Sequence, residues 1–384
     1  MSGSKRTRVA VLYNFVGVDQ YAVLRRRVRV GSVVSPTGRI EDLEKIATLR
    51  EEIQALVLAL QEEGFDCRAV NIREDFNRLL EALTSPRPDV VFNLVEFFND
   101  NALLEDRVAG LYDLLDIPYT GSPPLTLALC QRKGLAKQIL KAHDIPTPRF
   151  KLVAAEPIPT LRGLRYPLIV KPVWEDASAG VTERSVVDER AQLEEQVRHV
   201  WEKFQQPALI EEYIEGRELG VSIIGNKPPR MLPVEEMDFS DLPEERRRII
   251  SFESKWDPLH EDFHKGTLVC PAKLSRAVLR RVKALALRTY QVLGCRDYSR
   301  IDMRLDRRNK LFVLEVNPNP DLTAGVAFMA SAAADGMTFS GTLRFIVEQA
   351  LSRRKAPPAE PAEAKAETKS EAKIEPKTES GGES

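Results

Sequence analysis

Arg300-Ile301-Asp302 and Glu315-Val316-Asn317 are the residues whose types and spacing most clearly suit chemistry. On a strand, residues two apart point to the same face. Arg300 and Asp302 would then share one face, and Glu315 and Asn317 a face of the next strand. The polar turn Asp306-Arg307-Arg308-Asn309 would bring the two pairs together. Two carboxylates and an amide oxygen beside an arginine suit Mg2+, which takes a few hard oxygen ligands and completes its shell with phosphate and water. A surface ladder of cross-strand charge pairs would carry the same spelling.

Two more segments offer groups to a nucleotide. Pro167 to Pro172 is a short apolar run that delivers Lys171, and Glu175 to Gly180 follows as a turn of small residues. One cation and several backbone N–H groups suit phosphates. A strand-end lysine before a flexible turn is the plainer reading. In Ala208 to Ile214, then Gly216-Arg217-Glu218, a strand running into a bend could offer backbone groups to an adenine edge and a carboxylate to a ribose. An ordinary amphipathic strand with solvated glutamates is the plainer reading of that segment taken alone. Neither a P-loop nor a GxGxxG fingerprint is present.

The elements that must hold these residues follow from periodicity. Val9 to Tyr13 reads as a buried parallel strand. A long polar connection with Arg25, Arg26, Arg27, Arg29 and Arg39 comes next. Its arginines are either a solvated basic loop or a selector for an acidic substrate. Leu49, Ile53, Leu56, Val57 and Leu60 mark an amphipathic helix, with Gly64 at its C-terminal cap. Strands are predicted over 67–72, 89–94, 168–170, 208–212, 218–224, 231–234, 297–305 and 311–316. Helices are predicted over 103–115, 125–143, 278–293 and 339–351. The expected class is α/β (α+β). A small α/β domain spans 1–125, an α+β unit with a leading helix 126–220, a second α+β unit 221–354 and a disordered tail 355–384.

With 384 residues, 43% apolar and 29% charged, the chain can build two or three cores. A net charge of −1 gives no reason to expect nucleic acid. No apolar run approaches the ~20 residues of a membrane span. The basic start before Val9 to Tyr13 lacks a signal-peptide core. Cys67, Cys130, Cys270 and Cys295 are scattered, as reduced thiols of a cytoplasmic enzyme would be.

Taken in order, these pieces resemble the ATP-grasp superfamily and its D-alanine–D-alanine ligase branch. The resemblance is carried by Asn93-Leu94-Val95-Glu96, Leu115 to Ser122, Lys133, Val170-Lys171-Pro172, Glu211-Glu212-Tyr213-Ile214, Lys255, Arg300-Ile301-Asp302 and Glu315-Val316-Asn317-Pro318. It covers about residues 9 to 350. It implies a small N-terminal domain plus two subdomains that sandwich ATP. Lys133 and Lys171 would hold the α- and β-phosphates, with the turn from Asp176 through Ser178 to Gly180 closing over them. Glu211, Glu212, the backbone at Tyr213 and Ile214, and Glu218 would hold adenosine. Lys255 would reach the γ-phosphate. Asp302, Glu315 and Asn317 would bind two Mg2+ ions, with Mn2+ as a substitute, and Arg300 would stabilise charge at the acyl centre. The implied reaction joins a carboxylate to an amine, both small molecules such as amino acids or short peptides, through an acyl phosphate. A homodimer is a further expectation.

This sequence departs from the family pattern on the amino-acid side. Only Asp19 could replace the glutamate that holds the first substrate's ammonium, Ala177 replaces the first serine of the phosphate loop, and Trp256 stands where a tyrosine is usual. No histidine is seen near Asn93 to Phe97. Other amino-acid substrates, acidic ones included, therefore stay open beside D-alanine. His260-Glu261-Asp262-Phe263-His264 satisfies HExxH, but Pro258 and Gly266 leave at most two turns for a zinc helix. It falls inside a polar stretch, Asp238 to Gly266, that could serve as a lid. A non-catalytic ATP-binding protein is the remaining alternative. The tail after Arg354 cannot offset backbone ordering of about 1–2 kcal/mol per residue. Truncation after Arg354 is therefore expected to leave melting temperature and ADP release unaltered; a clear fall in melting temperature would show that the tail docks.

Overall fold

The computed structural model describes residues 6–29, 46–175, 178–260 and 265–354. The 355–384 tail, Asp176, Ala177 and Glu261 to His264 of the HExxH match lie outside the described residues, as does Arg39 of the basic segment.

Strand β1 (Arg8–Tyr13) is the apolar run expected there, and it leads into α1 (Gln20–Arg29). This helix corrects the sequence reading, which took the segment as connection. Asp19 caps it by accepting from the backbone N–H groups of Tyr21 and Ala22, a local bond that an apolar-period search does not see. Helix α2 (Leu49–Glu62) starts at a Thr48 capping box with Glu51 and ends before Gly64, whose φ of +89° suits a residue without Cβ. Then come β2 (Asp66–Asn71), α3 (Phe76–Thr84), β3 (Val90–Leu94) and α4 (Glu105–Leu114). The three strands form a parallel sheet in the order β2-β1-β3. Its alternating residues feed cores on both faces. Val9, Val11 and Phe92 pack with α2, while Ala10, Leu12 and Val91 pack with α3 and α4.

The single helix expected over 125–143 is two, α5 (Pro124–Gln131) and α6 (Lys133–Ala142), broken at Arg132 with φ −91° and ψ 78°. The break makes Lys133 the first residue of its own helix. Next come β4 (Phe150–Val153), β5 (Leu168–Pro172), β6 (Val186–Val187), α7 (Arg190–Phe204) and β7 (Ala208–Glu212). The four strands form an antiparallel sheet ordered β4-β7-β5-β6. Leu168, Val170, Ala208 and Ile210 pack on Leu193, Val197 and Val200 of α7. Lys171 and Glu211, one residue out of that phase, point to the other face.

The last sheet has β8 (Gly216–Ile224), β9 (Arg230–Met231), β10 (Glu235–Asp238), β11 (Thr267–Val269), β12 (Tyr298–Asp306) and β13 (Leu311–Asn317), with α8 (Phe252–Trp256) and α9 (Arg276–Val292) between them. Its order is β11-β10-β8-β12-β13, with β9 on the end of β8. The strand expected over 231–234 is instead the end of β9 and a gap before β10. Pro233 has no N–H to give the ladder there. Leu219, Val221, Ile301, Met303, Val313 and Val316 bury one face against α9. A shift of register between Asp302 and Met303, where β13 passes from Glu315 to Val313, lets Glu315 and Asn317 line the opposite face although Val313 is two residues from Glu315. Helices α10 (Ala327–Ala334) and α11 (Phe339–Leu351) return to pack on α2 and the first sheet.

A buried carboxylate ties the parts together. Asp297, with no exposed surface, accepts from Gly121 N–H at 3.0 Å, Asn226 Nδ2 at 2.9 Å and Arg353 Nη2 at 2.8 Å. The same Arg353 nitrogen donates to the Tyr119 carbonyl at 2.6 Å. Removing one partner of a buried ion pair strands the other. Asp297→Ala is therefore expected to lower unfolding free energy by about 3–5 kcal/mol in urea titration; a loss under about 1 kcal/mol would deny Asp297 this role.

Candidate active site

The register of the last sheet lines up the residues singled out by spacing. Asp302 lies directly opposite Glu315, and Arg300 opposite Asn317. On the other side of β12, Arg300 faces Ser222, Asp302 faces Gly220 and Arg304 faces Glu218. One face of these three strands thus carries the charges and the other the core. Two carboxylates directly opposed on a sheet repel. Here each has a cation. Arg300 binds Asp302 through two parallel bonds of 2.7 and 2.9 Å, and Lys133 Nζ stands 3.1 Å from Glu315 Oε2. The Lys133 ammonium, above all, holds the Glu315 carboxyl well below the usual carboxylate range. Among the described residues no group of three His, Cys, Asp or Glu side chains gathers as a metal site. The oxygen set at this face is two carboxylates and one amide. Asn317 Oδ1 also accepts from Asn319 N–H at 3.2 Å.

The four-stranded sheet contributes Lys171 and Glu211. Glu211 is 1% exposed and is ion-paired with Lys171 Nζ at 2.8 Å and Lys137 Nζ at 2.7 Å. Lys137, itself 2% exposed, also donates to Thr147 Oγ1 at 2.8 Å. Burial pushes the Glu211 carboxyl up, but the two ammonium groups outweigh it and the net shift is downward. Burial lowers Lys137, and Glu211 opposes that shift. Sequence reading missed Lys137. The signal was present: Lys133 and Lys137 stand one helical turn apart and so share a face of α6.

The adenosine candidates divide. Glu211 faces Lys137 and Lys171 rather than an open cleft. Glu212 lies at the sheet margin, accepting Arg165 N–H at 3.1 Å. Tyr213 N–H is bonded to the Pro167 carbonyl, and Ile214 begins the bend into β8. Glu218 is ion-paired to Arg304 at 2.5 Å, a 4% exposed arginine that also lies over the Tyr213 ring. Burial raises the Glu218 carboxyl and Arg304 opposes it.

Ser178 and Gly180 sit on a turn with φ of 65° and 75°. A Cβ at Gly180 would stand 2.5 Å from Pro172. The segment expected as a lid is a strap pinned to this turn and to the adenosine candidates. Phe252 N–H donates to the Val181 carbonyl at 2.9 Å, Arg247 pairs with Asp188 at 2.7 Å, and Tyr213 Oη donates to the Arg248 carbonyl at 3.2 Å. Lys255 lies on α8 with its ammonium 5.0 Å from the Trp256 ring centre, beside a cavity of about 110 Å³ lined by Met237, Phe239 and Ile249. The structure therefore brings Lys133, Lys137, Lys171, Glu211, Arg300, Asp302, Glu315 and Asn317 into linked pairs and leaves Lys255 on the strap. On the substrate side, Asp19 accepts Leu49 N–H in addition to capping α1. Arg25 is paired to Glu51. All four cysteines are free thiols, and among the described residues no helix is long and apolar enough to cross a membrane.

Known proteins agree with this arrangement. A family model described as the D-ala D-ala ligase C-terminus matches residues 139–348. An uncharacterized Sinorhizobium fredii protein, y4sG, is 32% identical over 323 residues, covering 83% of this chain and 89% of that protein. The D-alanine–D-alanine ligase of Gluconobacter oxydans is 31% identical over 301 residues, 78% of this chain and 93% of the relative. A crystal structure of the Bacillus anthracis D-alanine–D-alanine ligase complexed with ATP superposes with a TM-score of 0.65 at 21% identity, over 91% of this chain and 98% of that one. The two opposed sheets, the bridging lysines and these similarities have one reading: the chain belongs to the D-alanine–D-alanine ligase family of ATP-grasp ligases.

Proposed function

We propose that the protein is an ATP-dependent ligase that joins a carboxylate to an amine through an acyl phosphate, with D-alanine plus D-alanine the first pair to test. The observation that carries this reading is the meeting of Lys133 with Glu315 at the sheet that holds Arg300, Asp302 and Asn317. A carboxylate is a poor electrophile until one of its oxygens attacks a γ-phosphate. The amine then attacks the acyl carbon and phosphate leaves. Such transfer needs positioning and charge neutralisation more than covalent help from the protein. In this reading Lys133 and Lys171 hold phosphate oxygens, Arg300 stabilises charge at the acyl centre, and the strap bearing Lys255 keeps water from the acyl phosphate. Ser178 and Gly180 offer turn N–H groups to phosphate, and Glu218 with the Tyr213–Ile214 bend faces adenosine.

The donor set of Asp302, Glu315 and Asn317 fits Mg2+, because all three offer hard oxygens on one face. When bound there, the ion supplies neutralisation of phosphate charge. The activity of the Gluconobacter oxydans relative, a D-alanine–D-alanine ligase, supports D-alanine as substrate. An acidic co-substrate has no support from Arg25, which Glu51 already holds. The division near residues 125 and 220 is retained as part of the proposal.

Glu315→Gln or Asp302→Asn is expected to reduce ADP and phosphate release by about 100-fold or more, with the melting temperature little changed. Chelation by EDTA should stop release and added Mg2+ restore it. Undiminished ADP release by either folded variant would overturn the metal assignment. A screen of carboxylate and amine pairs that gives no ADP above background would overturn the ligase reading itself.

A further inference from the structure

Glu235 is a carboxylate that the proposed reaction does not use, yet it sits on the reactive face. It opens β10, pairs with Gly220 across to β8, and Gly220 in turn pairs with Asp302 on β12. The side chain is 2% exposed. Its Oε1 accepts Ser222 Oγ at 2.9 Å and Ser331 Oγ at 2.8 Å. Ser222 is the residue directly opposite Arg300. A Cβ on Gly220 would lie 2.9 Å from Glu235 Oε2. The carboxylate therefore leans over Gly220, a residue of β8 that has no side chain, in the direction of β12. Any other residue at 220 would push it back.

The two charges feel one another. Burial pushes the Glu235 carboxyl up and the Arg300 guanidinium opposes that shift. On Arg300, burial works against the charge, while Asp302 first and then Glu235 hold it. Asp302 takes the Nε edge of the guanidinium with two bonds. It is also the carboxylate proposed for Mg2+, so it cannot give its oxygens wholly to both.

We infer that Glu235 is a positioning residue for Arg300: a second buried anion, locked by Ser222 and Ser331, that keeps the guanidinium aimed at the acyl centre while Asp302 serves the ion. This inference rests on the ligase reading for its catalytic consequence, but not for the placement of Glu235 through Ser222, the residue opposite Arg300. A buried charge held by two hydroxyls and a glycine gap has little freedom to move, which is what a guide for a flexible arginine requires.

The test uses the full-length protein and two readouts. Glu235→Gln keeps the shape and the acceptor for both serines but removes the charge. It is expected to lower kcat by about 10- to 100-fold, with KM for ATP unchanged, and to add little in an Arg300→Lys background. Independently of turnover, the Nε–H signal of Arg300 in 15N-labelled protein, assigned by its loss in Arg300→Lys, should shift in Glu235→Gln without substrate. If Glu235→Gln fails to fold, Ser331→Ala, which loosens Glu235 without touching charge, should shift the same signal. An Arg300 signal unmoved in the folded variant, or a kcat equal to that of the unaltered protein, overturns the inference. Absence of turnover in every form, with the signal still shifting, would sink the ligase reading and leave the electrostatic coupling of Glu235 to Arg300 standing.

Discussion

Two lysines one helical turn apart on α6 reach carboxylates on two different sheets. Lys133 meets Glu315 of the six-stranded sheet, and Lys137 meets Glu211 of the four-stranded one. Lys137 and Glu211 are almost wholly buried, so neither can lose the other without leaving a charge in a poor solvent. The relative placement of the two sheets is thus an electrostatic requirement as much as a packing one. The break at Arg132 serves it by setting Lys133 on the first turn of α6. A single unbroken helix would give the second lysine the same phase but a different depth and direction.

The same requirement explains why a sheet can carry Asp302 opposite Glu315. On an ordinary surface that pair would be destabilising. Here the repulsion is divided between Arg300 and Lys133, and the downward shift of Glu315 shows how completely its charge is held. In the proposed reaction such a face suits a polyanion, since Lys133 and Arg300 already stand at it. Core packing on the reverse face, from Ile301 and Met303 to Val282 and Ala286 of α9, keeps the strands from tilting out of register. A one-residue slip would send every charge into that core.

Much of this was legible from residue order. The strand alternation at Arg300-Ile301-Asp302 and at Glu315-Val316-Asn317 fixed both the face and the pairing, because period-two patterns on adjacent strands leave little choice. Helix α7 is spelled by Leu193, Val197 and Val200, but the polar residues that outnumber them mask the period. Other features were not accessible. Helix α1 depends on Asp19 bonding its own backbone, and the gap before β10 depends on where one proline falls. Glu235 has no local signature, since it matters only through Gly220, Ser222 and Ser331, which lie up to 96 positions away. Glu211 read as an adenosine contact, whereas its partner Lys137 turns it inward. Single sequences announce what is periodic and hide what is paired at long range.

The charges near the first strand bear on substrate choice by the same logic. The basic run after β1 suggested an anion-selecting loop. In the structure α1 carries Arg25 to Glu51, and Asp19 turns to backbone N–H groups. Glu52, on the same turn of α2, is pushed up to about 7 by burial first and then by Asp321 and Asp19. Glu52 thus stands beside two further carboxylates, Asp19 in the loop after β1 and Asp321 after β13, whose charges add to the effect of its burial. An additional anion would add to that repulsion, and at pH above about 7, where Glu52 is ionised, it would add most. In the proposed reaction a neutral amino acid brought to this corner would meet no such repulsion, which is consistent with D-alanine as the first substrate to test.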